Sequence, residues 1–275
     1  MVKGVIVAAG YGSRFLPVTR VVPKELLPIV DRPAIDWVVR EMVEAGIEDL
    51  LVITSRRKKA LDDWFDRDPE LEALFGRDRL GLPPIRTSFV RQSEMRGTGH
   101  ALMLARSFCG DDPFVVAFPD DLFGPPNCSA QLIADHKATG CTVLACGDLT
   151  GEDVSRYGVV DAVDVNGVLR VRGMVEKPAP GTEPSHLVSW GRYLYTPEVF
   201  DALEAGFRSH TSGEFYATDA IAALAKRERV VASVIPSVRY DTGDRLGYLT
   251  TVIDVALGHP ELGGPLRAWL DQKLR

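Results

Sequence analysis

Short apolar runs alternate with stretches of helical hydrophobic spacing through the first half of the chain. Residues 5–8 form an apolar run of strand length, and the apolar positions after it recur at the spacing of one helix face between Pro33 and Gly46. Further strands are predicted at residues 50–53, 89–90, 114–118 and 142–146, and further helices at residues 61–65 and 99–108. Because parallel strands need long crossover connections, this alternation predicts an α/β fold with a mostly parallel sheet and helices on both of its faces.

The pattern changes after Tyr157, where strand-like runs become adjacent. The runs 159–165 and 168–175 flank Asn166-Gly167, a dipeptide typical of a two-residue hairpin turn. A further strand is predicted at residues 187–195, a helix from Pro197 to about Gly206, and a later helix at residues 246–256. We therefore expect an antiparallel insertion in the second half of the sheet.

Composition and charge are those of an ordinary globular protein. The chain has 275 residues, of which 45% are hydrophobic and 25% charged, and this length supports one large α/β core. Its 32 basic and 38 acidic residues give a formal charge of -6, which argues against a nucleic acid partner. No linker rich in Ser, Gly or Pro divides the chain, so we expect a single domain over residues 1–275.

Cysteine usage and the length of the apolar runs indicate the compartment. The four cysteines form no C-x-x-C pair, and we expect buried thiols in a reducing cytoplasm. The apolar run near the N-terminus is too short for a secretory signal, and the other runs are far shorter than a membrane helix. The sequence thus predicts a soluble, cytoplasmic protein with no membrane partner.

The loop AAGYGSR, residues 8–14, follows the first predicted strand, where doubly wound folds bind phosphate. Phe15 stands where a dinucleotide fingerprint needs its third glycine, so an NAD site is disfavoured and the loop alone is equally a tight turn. Arg14 and Lys24 add two cations, the lysine lying between two prolines in a segment that we predict to be irregular. Together these features predict a cradle for a polyphosphate.

Carboxylates occur directly after one buried strand and just before a later turn. Asp120 and Asp121 come directly after the run 114–118, so they should lie at the carboxyl edge of the sheet, where adjacent acids suit Mg²⁺. Asp241 precedes a Thr-Gly turn and is a second candidate ligand, whereas Asp244 is predicted to cap the following helix. Helix capping is also the alternative role for the first two acids.

Two further segments carry weaker signals. Gln92 and the glycine-rich segment from Gly97 offer an amide and backbone groups that suit the edge of a base. Glu176 and Lys177 place an acid and a cation at the end of the predicted hairpin. Either pair is also consistent with ordinary loop chemistry, and the histidines show no metal-ligand spacing.

In this order, the segments resemble those of the bacterial sugar nucleotidyltransferases. The matching stretches are GVIVAAGYGSRFLPVTRVVPKELLPIVDRPAIDWVV, GTGHA after Gln92, FPDDL, YGVV, VEKP, WGRY and YDTGDRLGYL. The resemblance covers almost the whole chain and is strongest to the members that join UTP and glucose 1-phosphate. It implies a Rossmann-like nucleotidyltransferase fold and a Mg²⁺-dependent enzyme that forms UDP-glucose and pyrophosphate by direct in-line displacement.

The resemblance also implies a role for each matching residue. For the nucleotide, it implies backbone contacts from Ala8, Ala9, Gly10 and Gly12. Recognition of uracil is implied for Gln92 and Gly97. The catalytic residues Arg14 and Lys24 are implied to contact the triphosphate. Metal binding is implied for Asp120 and Asp241. On the sugar side, it implies contacts from Tyr157, Gly158, Glu176 and Asp121 with glucose, from Lys177 with its phosphate, and closure of the pocket by Gly191.

By the same resemblance, residues 1–150 are expected to be mainly nucleotide-binding, residues 151–260 mainly sugar-binding and residues 261–275 a C-terminal helix. In that last segment Leu266, Trp269 and other apolar residues recur at helical spacing. Such a short helix must dock either on its own domain or on another subunit. The resemblance favours a homodimer or homotetramer.

Two alternatives to this function remain open from the sequence. A thymidylyltransferase, or an enzyme for another sugar 1-phosphate, carries similar motifs, since pocket shape decides the substrate. A catalytically silent regulator that binds a nucleotide sugar on the same fold belongs to a different class. The presence of Arg14, Lys24, Asp120 and Asp241 counts against the regulator, because a sensor needs no apparatus for metal and phosphate.

Overall fold

The computed structural model describes residues 1–76, 80–81 and 84–274, and its strands follow the apolar runs of the sequence. The strands are β1 (Lys3–Val7), β2 (Pro28–Ile29), β3 (Arg32–Pro33), β4 (Asp49–Thr54), β5 (Arg86–Arg91), β6 (Phe114–Ala117), β7 (Asp121–Phe123), β8 (Thr142–Asp148), β9 (Gly158–Val165), β10 (Val168–Glu176), β11 (Leu187–Tyr195), β12 (Val230–Val234) and β13 (Arg239–Asp241).

Helices connect most of these strands. They are α1 (Ala34–Glu44), α2 (Lys59–Phe65), α3 (Pro69–Phe75), α4 (Thr98–Met103), α5 (Arg106–Cys109), α6 (Cys128–Thr139), α7 (Glu198–Ser209), α8 (Thr218–Ala225), α9 (Arg245–Gly258) and α10 (Gly263–Lys273). Short 3₁₀ turns lie at Ser13–Phe15, Val18–Arg20 and Lys24–Leu26. Among the described residues, no helix is both long enough and apolar enough to span a bilayer.

The central sheet has nine strands in the order β5-β4-β1-β6-β11-β8-β12-β10-β9. All of them run in one direction except β10 and β11, which pair antiparallel to their neighbours. The predicted α/β fold is therefore confirmed, and its central sheet is mixed, since β10 and β11 pair antiparallel to every neighbour. The antiparallel part lies further inside the sheet than an edge insertion, because β11 sits between β6 and β8.

Alternate residues of the central strands enter two separate cores. Val5 packs in one apolar cluster and Ile6 in the other, as do Val116 and Val115 of the neighbouring strand. Successive strand residues point to opposite faces, so each cluster covers one face of the sheet. The prediction of helices on both faces is confirmed, with α1 and α6 over one face and α7 and α8 over the other.

The predicted hairpin is also present. Asn166 and Gly167 join β9 to β10, and both have positive φ angles, of 57° and 81°. This backbone conformation is the one that makes Asn-Gly favourable at a two-residue turn. The hairpin lies at the edge of the sheet, where β9 also pairs with β11.

Three local predictions need correction. The helix predicted at residues 99–108 is divided into α4 and α5, because Leu104 and Ala105 make tighter i→i−3 backbone hydrogen bonds. Helix α7 continues through Gly206 to Ser209; the glycine makes room for Phe215, since a Cβ there would lie 3.2 Å from the Phe215 ring. The segment around Lys24, predicted to be irregular, forms a 3₁₀ turn.

A buried ion pair joins the sheet to α1. Arg192 of β11 is fully buried, and its guanidinium donates to both carboxylate oxygens of Glu41 at 3.0 and 2.7 Å. Its Nη2 also donates to the backbone oxygen of Asp121 at 3.2 Å. This charge pair, formed by residues far apart in the sequence, holds the segment after β6 in place.

The two C-terminal helices pack against each other. Asp244 caps α9 as predicted, its carboxylate accepting from the backbone N–H groups of residues 246 and 247. Helix α10 packs on α9, yet Trp269 stays 52% exposed. Leu246 and Leu249 of α9 are exposed as well, so an apolar surface remains on this pair of helices. Arg275, the end of the predicted tail segment, lies outside the described residues.

Candidate active site

Candidate site residues follow the carboxyl ends of neighbouring parallel strands. The glycine loop, residues 8–14, follows β1, Gln92 follows β5, and Asp120 follows β6. Parallel strands present these ends along one edge of the sheet, the usual location of ligand sites in open α/β folds. The order of strands in the sheet thus brings together side chains that are far apart in the sequence.

The glycine loop depends on one residue with a left-handed backbone. Gly12 has a φ angle of 66°, and a Cβ there would lie 3.2 Å from the Thr19 methyl group. A side chain at this position would therefore be both strained and crowded. Arg14, at the end of the loop, donates from Nη1 to the backbone oxygen of Gly243 at 3.2 Å. This contact joins the loop to the segment that carries Asp241.

The two predicted metal acids converge near Gly243. Strands β7 and β13 pair, and the backbone N–H of Thr242 donates to the backbone oxygen of Asp120 at 2.8 Å. A Cβ built on Gly243 would lie 3.0 Å from Asp241 Oδ1 and 3.1 Å from Asp120 Oδ2. Carboxylate oxygens from both acids therefore face the same small space.

Lys24 forms an ion pair with the first of these acids. Its Nζ donates to Asp120 Oδ2. Burial alone would raise the pKa of Asp120, but the charge of Lys24, with a smaller effect from Arg14, holds that pKa below its ordinary value. Burial likewise opposes the charge of Lys24, whereas Asp120 and Glu25 raise its pKa overall. Both groups are thus kept in their charged forms.

Asp121 is engaged by protein groups on both oxygens. Its Oδ2 accepts from the backbone N–H of Gly191 at 2.6 Å, and its Oδ1 accepts from Arg239. Burial raises the pKa of Asp121, and Arg239 opposes that shift. Arg239 Nη2 also contacts Asp241 Oδ2 at 3.2 Å. Asp121 therefore fixes the strand at Gly191 and orients the Arg239 guanidinium beside Asp241.

Two adjoining cavities open at this edge. The acid-lined cavity, of about 350 Å³, has most of the predicted sugar-side and metal residues in its wall: Asp120, Asp121, Tyr157, Gly158, Glu176, Gly191 and Asp241. Arg14, predicted to contact the triphosphate, also lines it. The amide-lined cavity, of about 300 Å³, is lined by Ala9, Gly10, Gln92 and Gly97 among others. Thr98 belongs to both walls, so the cavities meet there.

Some predicted residues lie beside these cavities rather than in their walls. Ala8, the first residue of the glycine loop, is buried, and Lys24 reaches the site through Asp120. Lys177 lies outside both cavities, with its side chain 61% exposed and its Nζ 3.6 Å from Glu176 Oε1. The assignment of Lys177 to a sugar phosphate stays a prediction.

The family model for nucleotidyl transferases matches residues 3–258, which is most of the chain. The chain belongs to this nucleotidyl transferase family. It is 41% identical over 283 residues to a UTP–glucose-1-phosphate uridylyltransferase 1 of Streptococcus pyogenes. The match covers 98% of this chain and 93% of that protein.

Solved structures resemble this nucleotidyl transferase over nearly its whole length. A UDP-glucose pyrophosphorylase complexed with UDP-glucose is 36% identical with a TM-score of 0.83, covering 94% of this chain and 100% of that one. A UTP-bound UGPase from Acinetobacter baumannii is 33% identical with a TM-score of 0.88, covering 98% of this chain and 99% of that one. These two solved structures therefore share the fold of this chain over nearly its whole length.

Nucleotidyl transferases of this family generally need a divalent metal ion. The described part of the chain contains no group of three or more His, Cys, Asp or Glu residues arranged to hold a metal. Asp120 and Asp241 nevertheless fit one, because Mg²⁺ is commonly held by one or two carboxylates and completes its shell with phosphate oxygens and water. Asp241 is 42% exposed, so its carboxylate is accessible to an ion that arrives with a nucleotide.

Arg239 is the main site residue of this nucleotidyl transferase that the sequence reasoning missed. It contacts Asp121 and Asp241, and its guanidinium lies 5.7 Å from the Tyr157 ring centroid. A signal was present in the sequence, since residues two apart in a strand share a face and Arg239 precedes Asp241 by two. Other missed residues in the wall of the acid-lined cavity are Arg156, Ser189, Tyr193 and Tyr216.

Proposed function

We propose that the chain transfers the uridylyl group of UTP to glucose 1-phosphate and releases UDP-glucose and pyrophosphate. The observation that carries this proposal is the convergence of Lys24, Asp120 and Asp241 beside two adjoining cavities. Two ligands in neighbouring cavities can react directly if charged groups between them hold the reacting phosphates. The Streptococcus pyogenes relatives, named for this reaction, match 98% of the chain and support the choice of substrates.

The chemical step is a direct displacement at phosphorus. A phosphate oxygen of glucose 1-phosphate forms a bond to the α-phosphorus of UTP, and the bond to the β-phosphate bridging oxygen breaks as pyrophosphate leaves on the opposite side. No covalent enzyme intermediate is needed. Catalysis then rests on alignment of two anions and on stabilisation of the charge that develops at the α-phosphate.

The chain's cations and acids divide these tasks. Lys24 and Arg14 neutralise the triphosphate and hold the α-phosphate in line with the attacking oxygen. Asp120 and Asp241 would hold Mg²⁺, which when bound adds positive charge to the phosphates and fixes their geometry. Arg239 keeps Asp241 oriented toward the shared space near Gly243.

The amide-lined cavity is the proposed site of the base. Gln92 is buried, and its Nε2 donates to the backbone oxygen of Gly97 at 3.0 Å and approaches His100 Nδ1 at 3.1 Å. These contacts fix the amide plane. Such a fixed amide and the adjacent backbone discriminate between bases, because an unpaired polar group in a closed site is costly.

We expect UTP to be used at least about 10-fold faster than ATP or GTP, because the fixed Gln92 amide and the adjacent backbone would pair with the edge of uracil and would be left partly unpaired by a purine. The measurement is pyrophosphate release from UTP, dTTP, ATP and GTP, each with the 1-phosphates of glucose, galactose and N-acetylglucosamine. Reactions without sugar phosphate serve as the control. Equal rates with ATP would reject this assignment of the cavity, a preference for dTTP would favour thymidylyl transfer, and binding without pyrophosphate release would favour a regulator.

The sugar is proposed to occupy the acid-lined cavity. Tyr157, Gly158 and Glu176 lie in its wall, and Gly191 is held by Asp121 at its floor. A Cβ at Gly191 would lie 2.4 Å from Asp121 Oδ2, so this position requires glycine. Carboxylate and hydroxyl groups around a compact cavity are the groups that hydrogen-bond sugar hydroxyls.

A homo-oligomer is the proposed assembly, with α9 and α10 in its interface. The exposed Trp269, Leu246 and Leu249 form an apolar surface on these helices, and a large aromatic side chain is a common anchor of subunit contacts. We expect the full-length chain to be a dimer or tetramer at micromolar concentration and a chain truncated after Gly264 to dissociate while keeping its kcat. Light scattering measures both; a monomeric full-length chain, or an unchanged oligomer after truncation, would contradict the respective expectation.

The cytoplasm is the proposed location. All four cysteines are buried and free, and burial raises the pKa of Cys109 to about 12. Unpaired thiols that serve as apolar packing groups are typical of a reducing compartment.

A further inference from the structure

A buried ion pair lies beside the proposed catalytic lysine. Glu25 is 1% exposed and Lys58 is 5% exposed, and Lys58 Nζ donates to both carboxylate oxygens of Glu25 at 2.6 and 2.8 Å. The proposed function gives Lys24 a role but leaves its neighbour Glu25 without one. A carboxylate this deeply buried and doubly hydrogen-bonded holds its own backbone firmly in place.

The pair joins two different segments of the edge that carries the site. Glu25 lies in the 3₁₀ turn Lys24–Leu26, whereas Lys58 ends the connection between β4 and α2. The turn is therefore held at two points, by Lys24 on Asp120 and by Glu25 on Lys58. A three-residue turn has few internal hydrogen bonds, so contacts from outside it, these two side chains and its packing on α1, determine where it lies.

The pair combines two buried opposite charges with two directional hydrogen bonds. Burial lowers the pKa of Lys58, and the charge of Glu25 opposes that shift. Well-packed apolar side chains commonly replace such buried pairs without loss of stability, so an ion pair here is better explained by the directionality of its two hydrogen bonds. That directionality fixes the backbone at Glu25 and with it the adjacent Lys24.

We propose that Glu25 and Lys58 are positioning residues that hold Lys24 in its reactive place against the substrate phosphates. The inference rests on the proposed function, since it assumes that Lys24 acts on the α-phosphate. Displacement of a catalytic group by about 1 Å can cost on the order of 10²-fold in rate. The pair therefore contributes to turnover through Lys24 and touches no substrate itself.

The test is a double-mutant cycle with Lys24→Ala. The variant Glu25→Gln/Lys58→Met removes both charges together, so that neither is left buried and unpaired. We expect its kcat to fall on the order of 10²-fold, with the KM for glucose 1-phosphate changed by less than about 3-fold. In the Lys24→Ala background the same pair of substitutions should lower kcat by less than about 3-fold, because the residue it positions is gone.

A milder variant and a matched control complete the experiment. Glu25→Asp keeps both charges but shortens the side chain, and is expected to lower kcat by about 10-fold with little change in Tm. Asp36→Asn is the control: Asp36 is also buried and pairs with a cation, Arg40 Nε at 2.7 Å, on its own helix α1. It should lower Tm without lowering kcat in either background.

The outcomes separate the inference from the proposed function. If Lys24→Ala lowers kcat as expected and the paired substitution lowers kcat by the same factor in both backgrounds, the pair is only structural and the inference is overturned. Wild-type kcat in both Glu25 variants would overturn it as well. Near-normal activity of Lys24→Ala itself would instead overturn the catalytic assignment on which the inference depends.

Discussion

Turnover is expected to fall by at least about 10²-fold when Asp120 or Asp241 is replaced by asparagine, with the fold retained. Each substitution removes one of the two carboxylates that converge near Gly243, and an amide is a poor ligand for Mg²⁺ beside phosphate. Asp241 is partly exposed and lies on a short strand at the surface edge, so its loss removes no core contact. The measurement is kcat from pyrophosphate release over a Mg²⁺ titration, with Tm as the check on folding.

Asp254 provides the matched control for these variants. It is an exposed carboxylate on α9, away from the cavity walls, and Asp254→Asn should keep kcat and its Mg²⁺ dependence unchanged. Near-normal Mg²⁺-dependent turnover in either Asp120→Asn or Asp241→Asn would remove that residue from the proposed metal site.

Replacement of Lys24 by alanine is expected to lower kcat on the order of 10²- to 10³-fold, the usual loss when a preorganised electrostatic contact to a reacting group is removed. The effect on stability should be smaller, because the hydrogen bond from Nζ goes to Asp120 alone and the side chain stays one-fifth exposed. The measurements are kcat at saturating UTP and Mg²⁺, and Tm. Mg²⁺, if held by Asp120 as proposed, would partly compensate for the positive charge that Lys24→Ala removes, so Tm is measured with Mg²⁺ present.

Lys226→Ala serves as the control for loss of a surface cation. Lys226 is exposed at the end of α8 and lines neither cavity, so its removal should leave both kcat and Tm unchanged. If Lys24→Ala unfolds while the control stays folded, Lys24 is required for stability, and the expected small effect on Tm is contradicted.

The elements that the sequence predicted well are those whose signal is local. Strand β11 was predicted with its observed bounds, and the Asn166-Gly167 turn was predicted from the dipeptide alone. Gly206 misled the prediction because its reason is tertiary: the glycine makes room for Phe215 and does not end the helix. A local pattern cannot distinguish these two uses of glycine.

In the candidate site, too, features with a local sequence signal were predicted, and features that depend on tertiary contacts were not. That the glycine loop, Gln92 and Asp120 should meet follows from their places after parallel strands, and the sequence was sufficient for that expectation. The hydrogen-bond partners of Asp121 could not be predicted from the sequence. Gly191 and Arg239 come close to Asp121 only through the order of strands in the sheet and the pairing of β7 with β13. The Arg192–Glu41 pair joins residues 151 positions apart, and no spacing rule predicts such a contact.

The position of β11 in the middle of the sheet couples the wall of the acid-lined cavity to the pairing of the central strands. The strand carries Gly191 into the wall of the acid-lined cavity, and it is hydrogen-bonded on one side to β6 and on the other to β8. A recombinant that joined residues 1–150 of this chain to the second half of a relative would therefore insert a foreign strand between two native ones. If the acid-lined cavity holds the sugar as proposed, exchange of whole segments would replace these strand pairings together with the cavity wall, whereas substitution of single wall residues would leave the pairings intact.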